Sequence, residues 1–173
     1  MSRRLFFLLL SIIMCSCDNK LKSSDNLIPR NVLFGNPEKV SPQISPDGKK
    51  LAYIAPVNNV LNVWVGDLDE SGNYLNPVAV TSDTNRGIRG FSWSPDSKQI
   101  LYTQDTNGDE NWRLYGVDLE TKTTRNYTPF DKVHVGISQI DKRHRDSILI
   151  AMNKENPKFH DVYKLNLKTG DLS

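Results

Sequence analysis

The chain of 173 residues has a nearly balanced charge, with 22 Lys and Arg against 20 Asp and Glu and a formal net charge of +2. This balance gives no reason to expect a nucleic-acid partner. Both cysteines, Cys15 and Cys17, lie near the N terminus, which excludes a disulfide framework, a thiol nucleophile and a cysteine-ligated zinc site from the rest of the chain. We expect neither a metal nor a cofactor, and a fold stabilised by an ordinary hydrophobic core.

Residues 1–16 have the pattern of a lipoprotein signal peptide. Arg3 and Arg4 precede an apolar run that extends from Leu5 to Met14. That run is shorter than the about 20 residues of a transmembrane helix. The pattern therefore predicts that the protein is exported.

Cys17 lies in a sequence that resembles a bacterial lipobox, because the small residue Ser16 precedes it and apolar Met14 lies three positions back. The resemblance implies that Cys17 is lipidated and begins the mature protein, and its acyl chains would hold the protein on a membrane. In enteric bacteria Asp18 would favour the periplasmic face of the inner membrane. An ordinary cleaved signal or an uncleaved anchor is the alternative. Residues 17–27 are predicted to form a polar tether.

Residues 28–173 carry the signals of one short helix followed by an all-β fold. In IPRNVLFG, Pro29 suits a first helical turn and Gly35 suits a helix end. The stretch SPDGKKLAYIAP begins at Ser45 and predicts a type I turn that closes a hairpin. Pro46 pre-sets the φ angle that this turn requires, and Gly48 can adopt a positive φ.

A second copy of this turn and strand, SPDSKQILYTQD, begins at Ser94, which lies 49 residues after the first copy. It has Ser97 in place of the glycine, and this serine carries a steric cost if the position also needs a positive φ. A third unit keeps only the strands, in SILIAMN from Ser147 and in VYKLNL from Val162.

The repeat predicts an incomplete β-propeller, since four short strands at a period of about 50 residues are typical of propeller blades. The alternative is a β-sandwich with similar hairpins. Propellers close with about 4–8 blades, so three blades leave open edges, and we expect the chain to be the front part of a larger protein. The predicted four-stranded blades span residues 40–82, 88–130 and 134–173.

Three stretches are distinctive and occur in order: IPRNVLFGNPEKVSPQISPDGKKLAYIAPVNNVLNVWVGDL, DTNRGIRGFSWSPDSKQILYTQDTNGDENWRLYGVDLETK and HDVYKLNLKTG. They resemble the start of the prolyl oligopeptidase family of serine peptidases, in its acylaminoacyl and dipeptidyl aminopeptidase branch. The resemblance implies an N-terminal β-propeller that caps a hydrolase domain, admits only peptides or unfolded ends, and helps to bind the substrate.

The resemblance also implies where the catalysis occurs. Family members place an α/β-hydrolase domain after the propeller, with the nucleophilic serine in a Gly-x-Ser-x-Gly turn. No such pattern occurs in this sequence, and we expect its three histidines, His134, His144 and His160, to be surface or structural residues. We therefore predict no catalytic residue and a non-catalytic chain, with peptidase activity only if a separate α/β-hydrolase chain is supplied.

The loop DTNGDENW contains the candidate binding residues. Asp105, Asn107 and Asp109 alternate like the first half of a calcium loop, but Gly108 is out of register for that loop. The Asn-Gly pair favours a tight hairpin turn instead. Asp109 and Glu110 are candidates for contact with the charged amino terminus of a peptide.

Two further interpretations stay open. Arg86 and Arg89, in RGIRG, are candidates for binding a peptide carboxylate, and solvated blade-edge arginines are the alternative. The rival function is that of a periplasmic binding or scaffold lipoprotein, because propellers of the Tol system also carry SPDG turns and need no catalytic domain. The stretches LFGNPEK and DENWRLYGVDL fit the peptidase branch better.

Overall fold

The computed structural model describes residues 28–173, so the predicted signal peptide, tether and lipidation site at Cys17 lie outside the described residues. The chain divides into two units at Gly35 and Asn36. In the first unit, α1 spans Arg30–Phe34, as the position of Pro29 predicts. Among residues 28–173 no helix is long and apolar enough to cross a membrane.

The second unit consists of antiparallel β-sheets joined by turns and loops. Its strands, in chain order, are β1 (Val40–Ile44), β2 (Lys50–Val57), β3 (Val60–Leu68), β4 (Tyr74–Ala79), β5 (Ser92–Trp93), β6 (Gln99–Gln104), β7 (Arg113–Asp118), β8 (Thr124–Asn126), β9 (Val135–Gln139), β10 (Ser147–Met152) and β11 (Asp161–Asn166).

These strands form three sheets in the chain order that the repeat predicts. The first has the order β1-β2-β3-β4, the second β5-β6-β7-β8, and the third β11-β10-β9. The all-β prediction is confirmed, but the third sheet has three strands rather than the predicted four. Leu172 pairs with Leu165 only as an isolated bridge, and Ser173 and Lys164 exchange backbone hydrogen bonds of 2.8 and 3.1 Å. This pairing lies where a fourth strand would be but is too short to count as one.

Both copies of the repeated turn have the same hydrogen bonds. Gly48 N donates to Ser45 O at 2.8 Å, and Ser97 N donates to Ser94 O at 3.0 Å, which closes a type I turn in each copy. The fourth residue of each turn is left-handed, with φ of +75° at Gly48 and +65° at Ser97. Ser97 therefore does adopt the costly conformation. Its hydroxyl accepts a hydrogen bond of 3.1 Å from Asp47 N of the first copy, which ties the two turns together.

The hydrophobic core lies between successive sheets. One cluster joins the first and second sheets and includes Ile54, Val63 and Ile100. The other joins the second and third sheets and includes Leu101 and Ile150. Adjacent residues of one strand thus enter different clusters, because successive side chains of a strand point to opposite faces. The second sheet is therefore covered on both faces, which is the stacking of propeller blades and not that of a two-sheet sandwich.

Candidate functional site

Alternate connections of the three sheets emerge at the same end, because the strands run antiparallel in sequential order. We call this end the loop end. Hydrogen bonds between a loop and a strand end of the neighbouring segment agree with this arrangement: Ile88 N donates to Leu61 O at 2.8 Å, and Val135 N donates to Trp112 O at 2.9 Å. The connections that form the loop end are residues 58–59, 80–91, 105–112, 127–134 and 153–160.

Asp83 organises the connection between the first and second sheets. Its carboxylate accepts hydrogen bonds from Asn85 N at 3.0 Å, Gly87 N at 2.6 Å and Gln104 Nε2 at 2.7 Å. The backbone of Asp83 is held in turn by the fully buried Asn62, whose amide bonds to Asp83 N at 2.8 Å and Asp83 O at 2.9 Å. This loop is therefore fixed by side chains from two strands.

An ion pair joins that connection to the acidic loop of the second sheet. Arg86 Nε lies 3.4 Å from Asp105 Oδ1, and the Asp105 side chain is 1% exposed. Asn85 Nδ2 also donates to Asn107 Oδ1 at 2.8 Å. A Cβ atom on Gly108 would lie 2.9 Å from the Arg86 guanidinium, so glycine leaves the space that this arginine occupies. Arg86 and the acidic loop belong to separate hypotheses when only the sequence is considered, and the structure brings them together.

The Asn-Gly turn that the sequence favours is present in the acidic loop. Asn107 and Gly108 have φ angles of +54° and +85°, and Asp109 N donates to Thr106 O at 3.1 Å across them. Positive φ at both central residues is the type I′ pattern of tight hairpins. The carboxylate of Asp105 pairs with Arg86. This loop therefore has the geometry of a turn that an arginine buttresses.

Asp109 holds the shape of the acidic loop. Its carboxylate accepts hydrogen bonds from Thr106 N at 2.9 Å, Asn111 N at 3.1 Å and Asn111 Nδ2 at 3.0 Å. The Asn111 side chain, the backbone of Thr106 and the nearby Arg113 lower the pKa of Asp109, so its carboxylate is charged at neutral pH. Both oxygens are engaged within the loop, and a contact with a ligand would have to share them.

Glu110 differs from its neighbour. Its side chain is exposed and makes no hydrogen bond or ion pair to another described residue. Its φ is +58°, a conformation that costs about 1–2 kcal/mol for a residue other than glycine. The Glu110 backbone N donates to Asp105 Oδ2 at 3.3 Å, so the buried Asp105 helps to hold this strained residue. Of the two predicted amine contacts, Glu110 is the one with a free carboxylate.

Arg86 and Arg89 line one cavity of about 380 Å³ beside the first sheet, at the loop end. The side chains of Asn36, Asn59 and Asn85 also line it, so its wall combines two cations with several amides. Guanidinium groups are suited to planar carboxylates and to peptide carbonyl oxygens. Arg86 connects this cavity with the acidic loop through its pair with Asp105.

The three histidines do not form a catalytic arrangement with a serine and a carboxylate in the described part of the chain. His134 and His160 lie together at the loop end, with ring centroids 5.5 Å apart, and Trp112 lies 6.4 Å from His134. Their proximity could not be read from the sequence, which separates them by a whole hairpin. His144 lies in the β9–β10 turn, at the opposite end of the third sheet.

A second cavity, of about 290 Å³, lies around that turn and against the outer face of the third sheet. Asp141 and Arg143 line it, but they pair with each other at 2.5 Å. The hydrogen bonds from Arg143 lower the pKa of Asp141 well below its usual range. Because these charges satisfy one another, the loop end is the stronger candidate site.

No protein-family model matches the chain. Individual proteins do match it. The chain is 44% identical over 145 residues to dipeptidyl aminopeptidase BIII of Pseudoxanthomonas mexicana, a match that covers 84% of this chain and 21% of that protein. It is 34% identical over 157 residues to dipeptidyl peptidase family member 6 of Caenorhabditis elegans, covering 85% of this chain and 20% of that protein. The chain thus spans about a fifth of the length of these curated relatives.

Solved structures show the same fold at lower identity. Acylaminoacyl peptidase from Pyrococcus horikoshii aligns with a TM-score of 0.52 and 21% identity, over 80% of this chain and 25% of that one. TolB from Acinetobacter baumannii aligns with a TM-score of 0.53 and 24% identity, over 78% of this chain and 31% of that one. These likenesses concern the fold alone, and they support the propeller-like stacking of the three sheets.

Proposed function

We propose that this chain supplies a capping propeller that filters peptides for a catalytic α/β-hydrolase domain. The chain is homologous to the N-terminal propeller region of the dipeptidyl and acylaminoacyl peptidases of the prolyl oligopeptidase family, and this homology supports the proposal. The matched region covers about a fifth of the relatives' length and leaves their catalytic domain unmatched. In this proposal the chain contributes substrate access and binding, and the hydrolase partner contributes the nucleophile.

The loop end is the binding surface in this proposal. The observation that carries it is the network from Asp83 through Arg86 to Asp105, which fixes two neighbouring loops and leaves the Glu110 carboxylate free. Backbone strain at a non-glycine residue persists only where the surroundings impose it, and such residues cluster at functional sites. A carboxylate whose backbone is held by Asp105, at the same end of the sheets as a cavity with two arginines, can hold a peptide by its charged amine, and the arginines can bind its oxygens.

Glu110 is the proposed contact for the peptide amine. Asp109 supports it by shaping the loop, because its carboxylate accepts hydrogen bonds from the backbone of Thr106 and Asn111. Arg89 is the proposed contact for peptide oxygens, because Arg86 is already paired with Asp105. The chemistry therefore favours peptides with a free amino terminus over acylated ones.

Peptide binding tests this assignment. We expect the purified chain to bind a short peptide with a free amine up to about fivefold more tightly than its acetylated form, since an ion pair at an exposed carboxylate contributes about 0.2–1 kcal/mol. Glu110→Gln should abolish this preference. Glu120→Gln is the matched control, because Glu120 is also exposed but lies in the β7–β8 turn at the opposite end. Equal binding of the two peptides by the unmodified chain would contradict the assignment, and so would a preference that Glu110→Gln leaves intact.

We also propose that the protein is anchored by lipid on Cys17 at the periplasmic face of a bacterial inner membrane. The lipobox-like sequence before Cys17 supports this proposal. Cys17→Ser should move the protein from the membrane fraction to the soluble fraction, whereas Cys15→Ser should leave it there. Membrane association that survives Cys17→Ser would contradict lipid anchoring at this residue.

A further inference from the structure

Two imidazole rings meet at the loop end of the third sheet. His134 directly precedes β9, and His160 directly precedes β11. In the sheet these two strands flank β10, so the histidines lie on either side of the end of the central strand. Their ring centroids are 5.5 Å apart and the rings are inclined by 84°.

This separation is close to the one that a shared metal ion requires. A tetrahedral ion that takes one nitrogen from each ring, at about 2.0–2.1 Å, places the two ring centroids about 5 Å apart. The 5.5 Å between His134 and His160 is within the reach of a small side-chain rotation.

The backbone around the pair is already held in place. His134 N donates to Asn153 Oδ1 at 2.6 Å, and Val135 N donates to Trp112 O at 2.9 Å. Asn153 Nδ2 also donates to Pro157 O at 3.4 Å, in the loop that leads to His160. One asparagine side chain therefore connects the segments that carry both histidines, which lowers the entropy cost of bringing the rings together.

We propose that His134 and His160 form a two-imidazole site for a divalent transition metal ion of the Zn²⁺, Ni²⁺ or Cu²⁺ class. Neutral imidazole suits these ions, whereas Mg²⁺ and Ca²⁺ prefer oxygen ligands. Among the described residues no group of three or more His, Cys, Asp or Glu side chains is arranged to hold a metal, so water completes the coordination. The bound ion joins the start of β9 to the start of β11 and stabilises the third sheet.

The test is metal titration of the full chain with both cysteines replaced by serine, so that thiols bind no metal. NiCl₂ binding is measured by calorimetry, and CuCl₂ is added to test for quenching of tryptophan fluorescence, because one of the three tryptophans, Trp112, lies 6.4 Å from His134. We expect one ion per chain, partial quenching of the tryptophan fluorescence, and a higher melting temperature with Ni²⁺. Mg²⁺ should have none of these effects.

Matched variants decide the assignment. His134→Gln and His160→Gln should each weaken Ni²⁺ binding by at least about tenfold, since even the loss of an outer-shell partner commonly has that effect. His144→Gln should leave binding unchanged, because His144 lies at the opposite end of the sheet. Circular dichroism in the absence of metal checks that each variant is folded. The proposal would be overturned if the chain bound no Ni²⁺, or if His160→Gln changed the Ni²⁺ affinity by less than about twofold. It would also be overturned if His144→Gln weakened Ni²⁺ binding as much as His134→Gln and His160→Gln do.

Discussion

Ile100 and Leu101 are neighbours in β6, and their truncation tests the stacking of the three sheets. Both side chains are 0% exposed. Ile100 packs between the first and second sheets, whereas Leu101 packs between the second and third. If the second sheet is covered on both faces, Ile100→Ala and Leu101→Ala must both destabilise the protein strongly.

The magnitude follows from burial. Truncating a fully buried Ile or Leu to Ala costs about 2–5 kcal/mol, which combines lost transfer energy with the cavity left behind. A loss of about 3 kcal/mol lowers the urea midpoint by about 1.5 M at an m-value of about 2 kcal/mol/M. In a sheet with one solvated face, one of the two substitutions would instead cost about 0.5 kcal/mol or less.

Urea denaturation followed by tryptophan fluorescence measures both variants. Val162→Ala is the control, because Val162 also lies in a strand but is 61% exposed, and it should cost less than about 1 kcal/mol. Stacking on both faces of the second sheet is refuted if Ile100→Ala or Leu101→Ala lowers the urea midpoint no more than the control Val162→Ala does. It is equally refuted if Val162→Ala is as destabilising as they are.

Three smaller effects follow from local contacts, each measured by urea or thermal denaturation. Thr128→Val should destabilise by about 1–3 kcal/mol, because Leu114 N donates to Thr128 Oγ1 at 2.8 Å and would be left without a buried partner; a change under about 0.5 kcal/mol would contradict this. Gly48→Ala should lower the free energy of unfolding by about 1 kcal/mol, because φ at this position is +75°. A Cβ would meet no atom within 4 Å, so no steric clash adds to this backbone cost. An unchanged stability would show that the turn relaxes. The backbone hydrogen bond from Thr121 lowers the pKa of Asp118. Its stabilising contribution is therefore present above the unfolded pKa of about 3.9 and is lost as the pH falls through the lower folded pKa. The unmodified chain should lose more stability between pH 6 and pH 3 than Asp118→Asn does, and equal losses would contradict that assignment.

The sequence allowed the repeated part of the fold to be predicted because the turns depend on local chemistry. Ser45 with Asp47, and Ser94 with Asp96, form the same short hydrogen bonds of 2.6 Å in both copies. Such bonds link residues two positions apart, so the motif alone specifies them. The motif did not decide the backbone at Ser97, where a positive φ was only a condition for a steric cost, and the structure shows that the condition is met.

The third sheet was harder to predict because its turn has lost that motif. Its strands were recognised from their apolar residues, whereas the pairing of Leu172 with Leu165 has no such pattern in the sequence. Strand boundaries depend on how many backbone hydrogen bonds form, which is a property of the folded sheet.

The candidate site was only partly predictable, because its turn depends on adjacent residues whereas its other contacts join distant parts of the chain. The Asn107–Gly108 turn was predicted from two adjacent residues and is present. The pair between Arg86 and Asp105 joins loops of different sheets, and the contact between His134 and His160 spans a hairpin. Long-range contacts of this kind have no local sequence signal, because they depend on how the sheets stack.

The central proposal is that this chain serves a separate catalytic hydrolase domain. The most direct measurement is the release of dipeptides from a chromogenic dipeptidyl substrate by the chain alone, by a family α/β-hydrolase domain alone, and by the two together. The account predicts no turnover by the chain, and a stable complex whose turnover and preference for a free amine exceed those of the hydrolase domain alone. Turnover by the chain alone would contradict the account, as would a hydrolase domain whose activity and selectivity are the same with and without it.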